Sequence, residues 1–163
     1  CFDTEVFDLL IRRFENTDAA EVSALIQKTL RISNIKDYSA EYIERDVQLF
    51  TPEYVIKRAG WTHFYVVCRD EQIIGCGAIG SYWGKTDESS LFNIFVLPAY
   101  QGKGIGRAII ETLEQDEYFL RAKRIEIPVS ITACAFYRKM GYDYKNGIDQ
   151  VDEEGLYRLE KFR

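Results

Sequence analysis

A strand, a glycine-rich turn and a helix in direct succession constrain this chain more than any other feature. The apolar run at 94–97 stops at Pro98, and residues 101–106 read Gln-Gly-Lys-Gly-Ile-Gly. Apolar residues with helical spacing follow at Ile105, Ala108, Ile109 and Leu113. Glycines let backbone N–H groups approach a ligand closely, and a helix N-terminus adds unpaired N–H groups and positive potential. The segment therefore predicts a site for a phosphate or pyrophosphate group.

The commoner phosphate-binding motifs do not fit this segment. A P-loop needs Ser or Thr after its Gly-Lys pair, whereas Gly104 follows Lys103. A dinucleotide fingerprint has the spacing G-x-G-x-x-G early in a βαβ unit, whereas the spacing here is G-x-G-x-G deep in the chain. Taken alone, the turn is also compatible with a flexible helix entry that binds nothing.

A second motif lies downstream, where residues 130–142 read Ser-Ile-Thr-Ala-Cys-Ala-Phe-Tyr-Arg-Lys-Met-Gly-Tyr. The two motifs together resemble those of the GNAT superfamily of N-acetyltransferases. The acetyl-CoA signature of that family, Q/R-x-x-G-x-G/A, falls on Gln101, Gly104 and Gly106. Its closing motif, N/S-x-x-A-x-x-F-Y-x-K-x-G-F/Y, is filled at every position from Ser130 to Tyr142. Two motifs in the right order are far more specific than either one alone.

The hydrophobic pattern predicts seven strands. They are expected at 9–14, 64–69, 73–79, 90–97, 124–129, 142–145 and 155–161. Four helices are expected: one that starts at Asp18 with Glu21 in a capping box, one capped by Ser39 or Asp37, one after the glycine turn, and one over 131–140. Pro52 is expected to end the second helix or to start a short extra turn.

This element order resembles the GNAT fold. The resemblance implies an α/β (α+β) domain with a mixed, largely antiparallel seven-stranded sheet and about four helices on both faces. It also implies a central parallel strand pair that splays apart. We expect a single domain over residues 1–163, since 47% hydrophobic content suits one sizeable core and no linker interrupts the pattern.

Composition favours a cytoplasmic enzyme that binds neither membranes nor nucleic acid. No apolar run is long enough to span a bilayer, and no secretory signal pattern is present. A net charge of −5 argues against a nucleic-acid surface and weakly fits amine-bearing partners. The sequence opens with Cys1 rather than Met, which leaves open whether residues upstream are missing. A homodimer is left open as well.

Cysteine and histidine usage predicts no metal site and no thiol chemistry. The four cysteines form no C-x-x-C pair and have no histidine at metal-ligand spacing, so buried free thiols are expected. The single histidine, His63, has no catalytic-triad pattern around it.

The resemblance implies acetyl-CoA as the acyl donor and assigns residues to it. Main-chain groups of Phe95, Val96 and Leu97 should pair with the pantetheine amides as a peptide pairs with a sheet edge. The turn from Gln101 to Arg107 should hold the pyrophosphate through backbone N–H groups, with positive charge from Lys103 or Arg107. The assigned turn residues are Gln101, Gly102, Lys103, Gly104, Ile105, Gly106 and Arg107. Ser130 and Ala133 should approach the cofactor; Val96 and Ala133 would also suit a hydrophobic core.

Tyr137 is the candidate catalytic residue that the resemblance implies, and it should also contact the cofactor. A phenol has an unperturbed pKa of about 10, so it carries its proton at neutral pH and can supply it to a departing CoA thiolate, whose thiol has a pKa of about 8.5. The alternative is a core aromatic, although Phe136 beside it already supplies that packing.

The general base is not assigned. Many relatives carry a carboxylate on the strand before the signature, where this chain has Asn93, which cannot act as a base. Glu88, His63 or a water chain to bulk solvent are the alternatives.

The predicted function is acetyl transfer from acetyl-CoA to a primary amine by direct attack in a ternary complex. The oxyanion would lie near the amides of Phe95 or Val96. The acceptor would contact 35–61, the Tyr82-Trp83 turn and the acidic loop 146–155, whose alternative is a solvated hairpin. Two other readings stay open: a non-catalytic acyl-CoA-binding or regulatory module, and a transferase for longer acyl groups.

Overall fold

The computed structural model describes residues 9–163, which form one seven-stranded sheet of order β1-β2-β3-β4-β5-β7-β6. The strands are β1 (Leu9–Arg13), β2 (His63–Arg69), β3 (Gln72–Ser81), β4 (Glu88–Val96), β5 (Arg124–Val129), β6 (Asp143–Tyr144) and β7 (Tyr157–Phe162). All neighbouring pairs are antiparallel except β4 and β5, which run parallel. The predicted mixed sheet is confirmed.

Six α-helices accompany the sheet in the described part of the chain. They are α1 (Ala19–Ile32), α2 (Ala40–Leu49), α3 (Pro52–Ala59), α4 (Ile105–Leu113), α5 (Glu117–Leu120) and α6 (Cys134–Lys139). Pro52 therefore begins a full helix: it occupies the first turn, where no N–H is needed, and the Thr51 hydroxyl accepts a hydrogen bond from the N–H of Tyr54. Asp116 caps α5 in the same way.

The capping box expected from Asp18 and Glu21 is wrong. The Asp18 carboxylate accepts hydrogen bonds from the Arg12 guanidinium and from the N–H of Glu15, so it closes the short turn before α1. The Glu21 carboxylate accepts from the N–H of Ile73 instead. A hydrogen bond from the charged Arg12 guanidinium to the Asp18 carboxylate is stronger than one from a neutral helix N–H. Ser39, not Asp37, caps α2.

Helices pack on the sheet so that both faces of β3 are buried. A Cβ added at Gly77 would lie 2.5 Å from Ile109, and one at Gly75 would lie 3.4 Å from the same side chain, so α4 sits directly on this face. The alternating residues Ile74 and Cys76 are fully buried on the other face. Three cysteines, Cys68, Cys76 and Cys134, are free and buried, whereas Cys1 lies outside the described residues.

The parallel pair separates soon after it forms, as predicted. β4 and β5 pair only where Glu88–Ser90 lie opposite Arg124–Glu126. Past that point β5 continues to pair with β7, and β4 with β3, so a gap opens between the two strands. A bulge in β4 marks the divergence, where Asn93 has a φ of +54° and the register against β3 shifts. This gap positions the candidate site.

No helix among residues 9–163 has the length and apolar character needed to cross a bilayer.

Candidate active site

Two adjoining cavities occupy the gap between β4 and β5. The turn cavity, about 420 Å³, lies beside the glycine turn, between Gln101–Arg107 and Phe136 of α6. The aromatic cavity, about 370 Å³, lies between α2, α3 and β4, against Tyr42, Phe50 and Phe92. They share six lining residues: Asn34, Ile94, Phe95, Ser130, Ala133 and Tyr137. The gap therefore connects the two cavities, and a molecule bound in one could contact a molecule bound in the other at this junction.

The glycine turn places the N-terminus of α4 on the wall of the turn cavity. Gly104 is the N-cap of α4 at φ +84°, and Gly102 has a φ of +76°; both are left-handed conformations that favour glycine. A Cβ at either position would meet nothing within 4 Å, so the backbone conformation rather than crowding requires glycine. No side chain caps α4, which leaves its first N–H groups available to an anion.

Ten of the residues assigned to the cofactor line the turn cavity. They are Phe95, Val96, Gln101, Gly102, Gly104, Gly106, Arg107, Ser130, Ala133 and Tyr137. The structure does not bring the other three to it. Leu97 is buried and its N–H donates to the carbonyl of Ile74, whereas Ile105 is buried against β3. Lys103 is exposed on the turn and does not line the cavity.

The end of β4 presents its main chain to the gap at Val96. The N–H of the next residue, Leu97, donates to Ile74 of β3, so the carbonyl of Val96 points the opposite way, into the gap. There it accepts a 3.0 Å hydrogen bond from the Gln101 side-chain amide, which also donates to the Ser33 hydroxyl. The Gln101 side chain thus ties the strand end to the end of α1.

Tyr137 lies on α6 at the junction of the two cavities and lines both. The residue is 7% exposed, and within residues 9–163 its hydroxyl has no hydrogen-bond partner. Burial raises the pKa of the phenol well above its ordinary value, since the charged phenolate would lose hydration. The hydroxyl therefore keeps its proton at neutral pH and is available as a donor at the junction.

Asn93 lies at the β4 bulge and lines the aromatic cavity. Its left-handed backbone suits asparagine better than most residues. The side-chain Oδ1 is buried and has no hydrogen-bond partner among the described residues. A buried amide oxygen without a donor is costly, so it is set up to accept a hydrogen bond from a bound molecule.

Comparison with known proteins agrees with this geometry. A sequence model of the acetyltransferase (GNAT) domain matches residues 60–144, just over half of the chain. This chain belongs to the GNAT acetyltransferase family. The match covers β2 to β6 and therefore both strands of the gap, the glycine turn and α6.

Solved structures share the fold of this GNAT chain along nearly its whole length. The PaiA N-acetyltransferase of Thermoplasma acidophilum, solved with coenzyme A, is 17% identical with a TM-score of 0.82, over 96% of this chain and 99% of the other. A GCN5-related N-acetyltransferase from Rhodopseudomonas palustris is 19% identical with a TM-score of 0.78, over 99% and 100%. A GNAT acetyltransferase from Streptococcus pneumoniae is 22% identical with a TM-score of 0.71, over 96% and 100%. No curated protein matches the sequence.

Neither side chain considered as a base reaches the cavities of this GNAT domain. Glu88 lies where β4 and β5 still pair; its carboxylate accepts hydrogen bonds from Arg124 at 3.0 Å and Lys85 at 3.2 Å, which lower its pKa. His63 bonds the buried carboxylate of Asp116 at 2.8 Å and stacks on Tyr118. Neither Glu88 nor His63 lines either of the two cavities.

The walls of the aromatic cavity were not identified as such from the sequence, although seven of its lining residues lie within the expected acceptor segment 35–61. Six of these seven recur every fourth residue: Tyr38, Tyr42, Asp46, Phe50, Tyr54 and Arg58. This spacing places Tyr42 and Asp46 on one face of α2 and Tyr54 and Arg58 on one face of α3, while Phe50 lies between the two helices. Of the acidic loop, only Glu154 among the acids lines this cavity. The four-residue spacing was the signal that could have found them.

Metal ligands do not gather anywhere in residues 9–163: no group of three or more His, Cys, Asp or Glu side chains could hold an ion there.

Proposed function

We propose that this GNAT chain transfers an acetyl group from acetyl-CoA to the primary amine of a small molecule or peptide, by direct attack in a ternary complex. The observation that carries the proposal is the gap between β4 and β5, with the glycine turn on one side and the Tyr137 hydroxyl at the junction of two cavities. Family membership supports it, as does the fold shared with a protein solved with coenzyme A. One continuous sheet supports a single domain.

The residues around the turn cavity fit an acyl-CoA. The first turn of α4 offers uncapped N–H groups to a pyrophosphate, and Arg107 adds positive charge at its edge. The unpaired edge of β4 around Phe95 and Val96 offers main-chain groups to the pantetheine amides. When bound, acetyl-CoA supplies an acetyl group activated as a thioester.

The reaction needs a nucleophile, an acceptor for its proton and a proton for the leaving thiolate. A neutral amine forms the new C–N bond as the C–S bond breaks, and it gives one proton to solvent. Tyr137 holds its phenolic proton at the junction and can donate it to the sulfur, to be reprotonated afterwards from solvent. The Oδ1 of Asn93 can accept a hydrogen bond from the amine and so orient its lone pair.

A non-catalytic acyl-CoA-binding module is the second candidate. The observation that favours it is that neither residue considered as a base on β4 can act as one, since Asn93 is neutral and Glu88 is held in ion pairs. The position of Tyr137 argues for chemistry, because it lines both cavities and its hydroxyl donates to no other residue in 9–163.

Donor binding can be tested with one glycine. Gly106 has an ordinary helical conformation, and a Cβ there would make only van der Waals contact at 3.5 Å with Phe136, so substitution does not strain the backbone. CoA should raise the melting temperature of the wild type and of Gly106→Ala, but not of Gly106→Asp, whose carboxylate repels the pyrophosphate. A CoA-dependent shift in Gly106→Asp equal to that of the wild type would refute the donor site.

A further inference from the structure

The aromatic cavity contains a guanidinium without a carboxylate partner. Arg58, near the end of α3, lines this cavity and is partly buried. It donates a 2.7 Å hydrogen bond to the Tyr54 hydroxyl and lies 5.0 Å from the ring of Phe92 and 5.2 Å from that of Trp61. Within residues 9–163 it forms no ion pair, although the aromatic rings hold it in place. Its remaining N–H donors are therefore available to an anion.

The same cavity contains a carboxylate without a cationic partner. Asp46 lies on α2, one turn after Tyr42, and is partly buried. No ion pair or side-chain hydrogen bond to it is present among the described residues. Burial raises its pKa, the adjacent Arg45 lowers it in part, and the nearby Glu154 raises it again. By contrast, Glu154 pairs with Arg158 at 3.3 Å.

The aromatic residues beside Asp46 suit a bound ammonium group. The rings of Tyr38 and Tyr42 stack with their centres 4.7 Å apart, and the buried Tyr38 hydroxyl has no partner among residues 9–163. The Tyr42 ring also lies 5.1 Å from the Arg45 guanidinium, so an ammonium ion would bind the Asp46 carboxylate and the Tyr38 phenol oxygen, not the face of the Tyr42 ring. The cavity therefore offers these acceptors as well as the donors of Arg58.

Asp46 and Arg58 carry opposite charges and line one cavity, but they form no ion pair with each other. A bound ligand that pairs with both would account for this arrangement. Partial burial of each charge without a partner costs free energy, and a protein that needed only stability would neutralise both. A ligand with a single charge satisfies one group and leaves the other unpaired. A dication would meet repulsion from Arg58, and a dicarboxylate would meet repulsion from Asp46.

We infer that the acceptor is zwitterionic: besides the amine that is acetylated, it carries a carboxylate bound by Arg58 and an ammonium group bound by Asp46. A diamino acid that reacts through its side-chain amine is the simplest member of this class. The inference rests on the proposed function, because it assigns the aromatic cavity to the acceptor. It adds the charged groups that select the acceptor, whereas the reaction itself depends on Tyr137 and the donor site.

Four matched amines separate the contribution of the acceptor's carboxylate from that of its ammonium group. Lysine has both charged groups, 1,5-diaminopentane lacks the carboxylate, 6-aminohexanoate lacks the α-ammonium group, and pentylamine lacks both. We expect kcat/KM to be highest for lysine or for its shorter homologue ornithine, with a loss of about tenfold for each missing group. Mass spectrometry should place the acetyl group on the side-chain amine.

Variants assign each loss to a residue. In Asp46→Asn the preference for lysine over 6-aminohexanoate should disappear, and in Arg58→Met the preference for lysine over 1,5-diaminopentane should disappear. Arg58→Lys, which keeps the charge but not the planar fork, should retain part of that preference. Two controls change charge on the same helices outside the cavity: Glu44→Gln, whose carboxylate pairs with Arg31, and the exposed Lys57→Met. Neither control should alter the acceptor ratios.

A binding measurement keeps this test independent of turnover. Trp61 packs on Phe92 with ring centres 5.2 Å apart and lies beside Arg58, and Trp83 is the other tryptophan of the chain. In a Trp83→Phe background, lysine should change Trp61 fluorescence with saturation, and Arg58→Met should weaken that binding. If no amine is acetylated but lysine still binds in this way, the proposed function fails and the charge assignment stands. Equal kcat/KM and equal binding for lysine and pentylamine, or a lysine preference that survives both variants, would overturn the inference.

Discussion

The thiol of Cys76 on β3 donates a 3.2 Å hydrogen bond to the carbonyl of Asn93 on β4. This contact joins the two strands at the bulge, where β4 leaves its regular register and the gap toward β5 opens. Burial raises the pKa of the Cys76 thiol to about 12, so the thiol keeps its proton and its role as a donor across the physiological pH range. The bulge thereby holds the Asn93 side chain in the aromatic cavity.

Asn93→Gly and Asn93→Ala should separate the backbone role of this residue from its side-chain role. Glycine tolerates the φ of +54°, whereas alanine is strained there, by about 1 kcal/mol. Chemical denaturation should therefore show that Ala lowers the free energy of unfolding more than Gly does. Both variants should raise KM for the amine, because both remove the Asn93 side chain, which lines the cavity. An unchanged KM in Asn93→Gly would exclude contact between Asn93 and the acceptor.

Tyr137→Phe should lower kcat by roughly 10²-fold, the usual contribution of a positioned general acid. The melting temperature and CoA affinity should hardly change, because the hydroxyl makes no hydrogen bond within residues 9–163 and the ring is kept.

Tyr142→Phe is the matched control for that variant. This buried tyrosine donates a 3.1 Å hydrogen bond to the Glu114 carboxylate and lines neither cavity. Its loss should cost stability, about 1–2 kcal/mol, without an effect on kcat. If Tyr137→Phe instead lost stability and kept its turnover, the residue would be a core aromatic and not an acid.

Glu88→Gln tests whether a protein carboxylate takes the amine proton. Lys85 and Arg124 lower the pKa of Glu88, which makes it a weak base, and its side chain lines neither cavity. We expect kcat/KM to change less than about threefold, since base catalysis would be worth at least about 10²-fold. The rate should rise with pH toward the pKa of the acceptor amine itself. A hundredfold loss in this variant would identify Glu88 as the base.

The Arg12–Asp18 pair should contribute stability that depends on pH. Hydrogen bonds from the Arg12 guanidinium, at 2.8 and 2.9 Å, lower the pKa of the Asp18 carboxyl below its ordinary 3.8. A lowered native pKa gives stability that is complete above the unfolded value and is lost as pH falls through the native value. Asp18→Asn should thus cost about 2 kcal/mol at pH 7. The difference from the wild type should shrink below about pH 4; a difference that stays constant down to pH 2 would contradict this origin.

Most of the sheet could be predicted from the sequence because each strand carries its own pattern. The apolar run before Pro98, the hairpin around Asp70 and the run 124–129 all lie where they were expected, and Gly141 stops α6 with a φ of +100°. The glycine turn was predictable too, since two of its glycines adopt left-handed conformations that other residues disfavour. Local chemistry decides these elements, so local reasoning finds them.

The features that could not be predicted from the sequence depend on contacts between segments that are distant along the chain. Asp18 was expected to cap α1, but Arg12 of β1 binds it, a pairing that depends on the packing of the first strand. Lys103 and Ile105 belong to the glycine turn, yet the direction of α4 leaves one exposed and buries the other against β3. The charges of Asp46 and Arg58 share a cavity only because α2 and α3 pack over β4. The four-residue spacing marks one face of each helix, but it does not show that the two faces meet over one cavity.

Acetyl transfer to an amine is the reaction that this site is proposed to catalyse, and it can be measured directly. The protein would be incubated with acetyl-CoA and a panel of primary amines, and free CoA thiol and acetylated amine would be measured in the same samples. We expect equal amounts of the two products with at least one amine, and no reaction above background in Gly106→Asp. Release of thiol without any acetylated amine, or equal product from the wild type and Gly106→Asp, would contradict the proposed function.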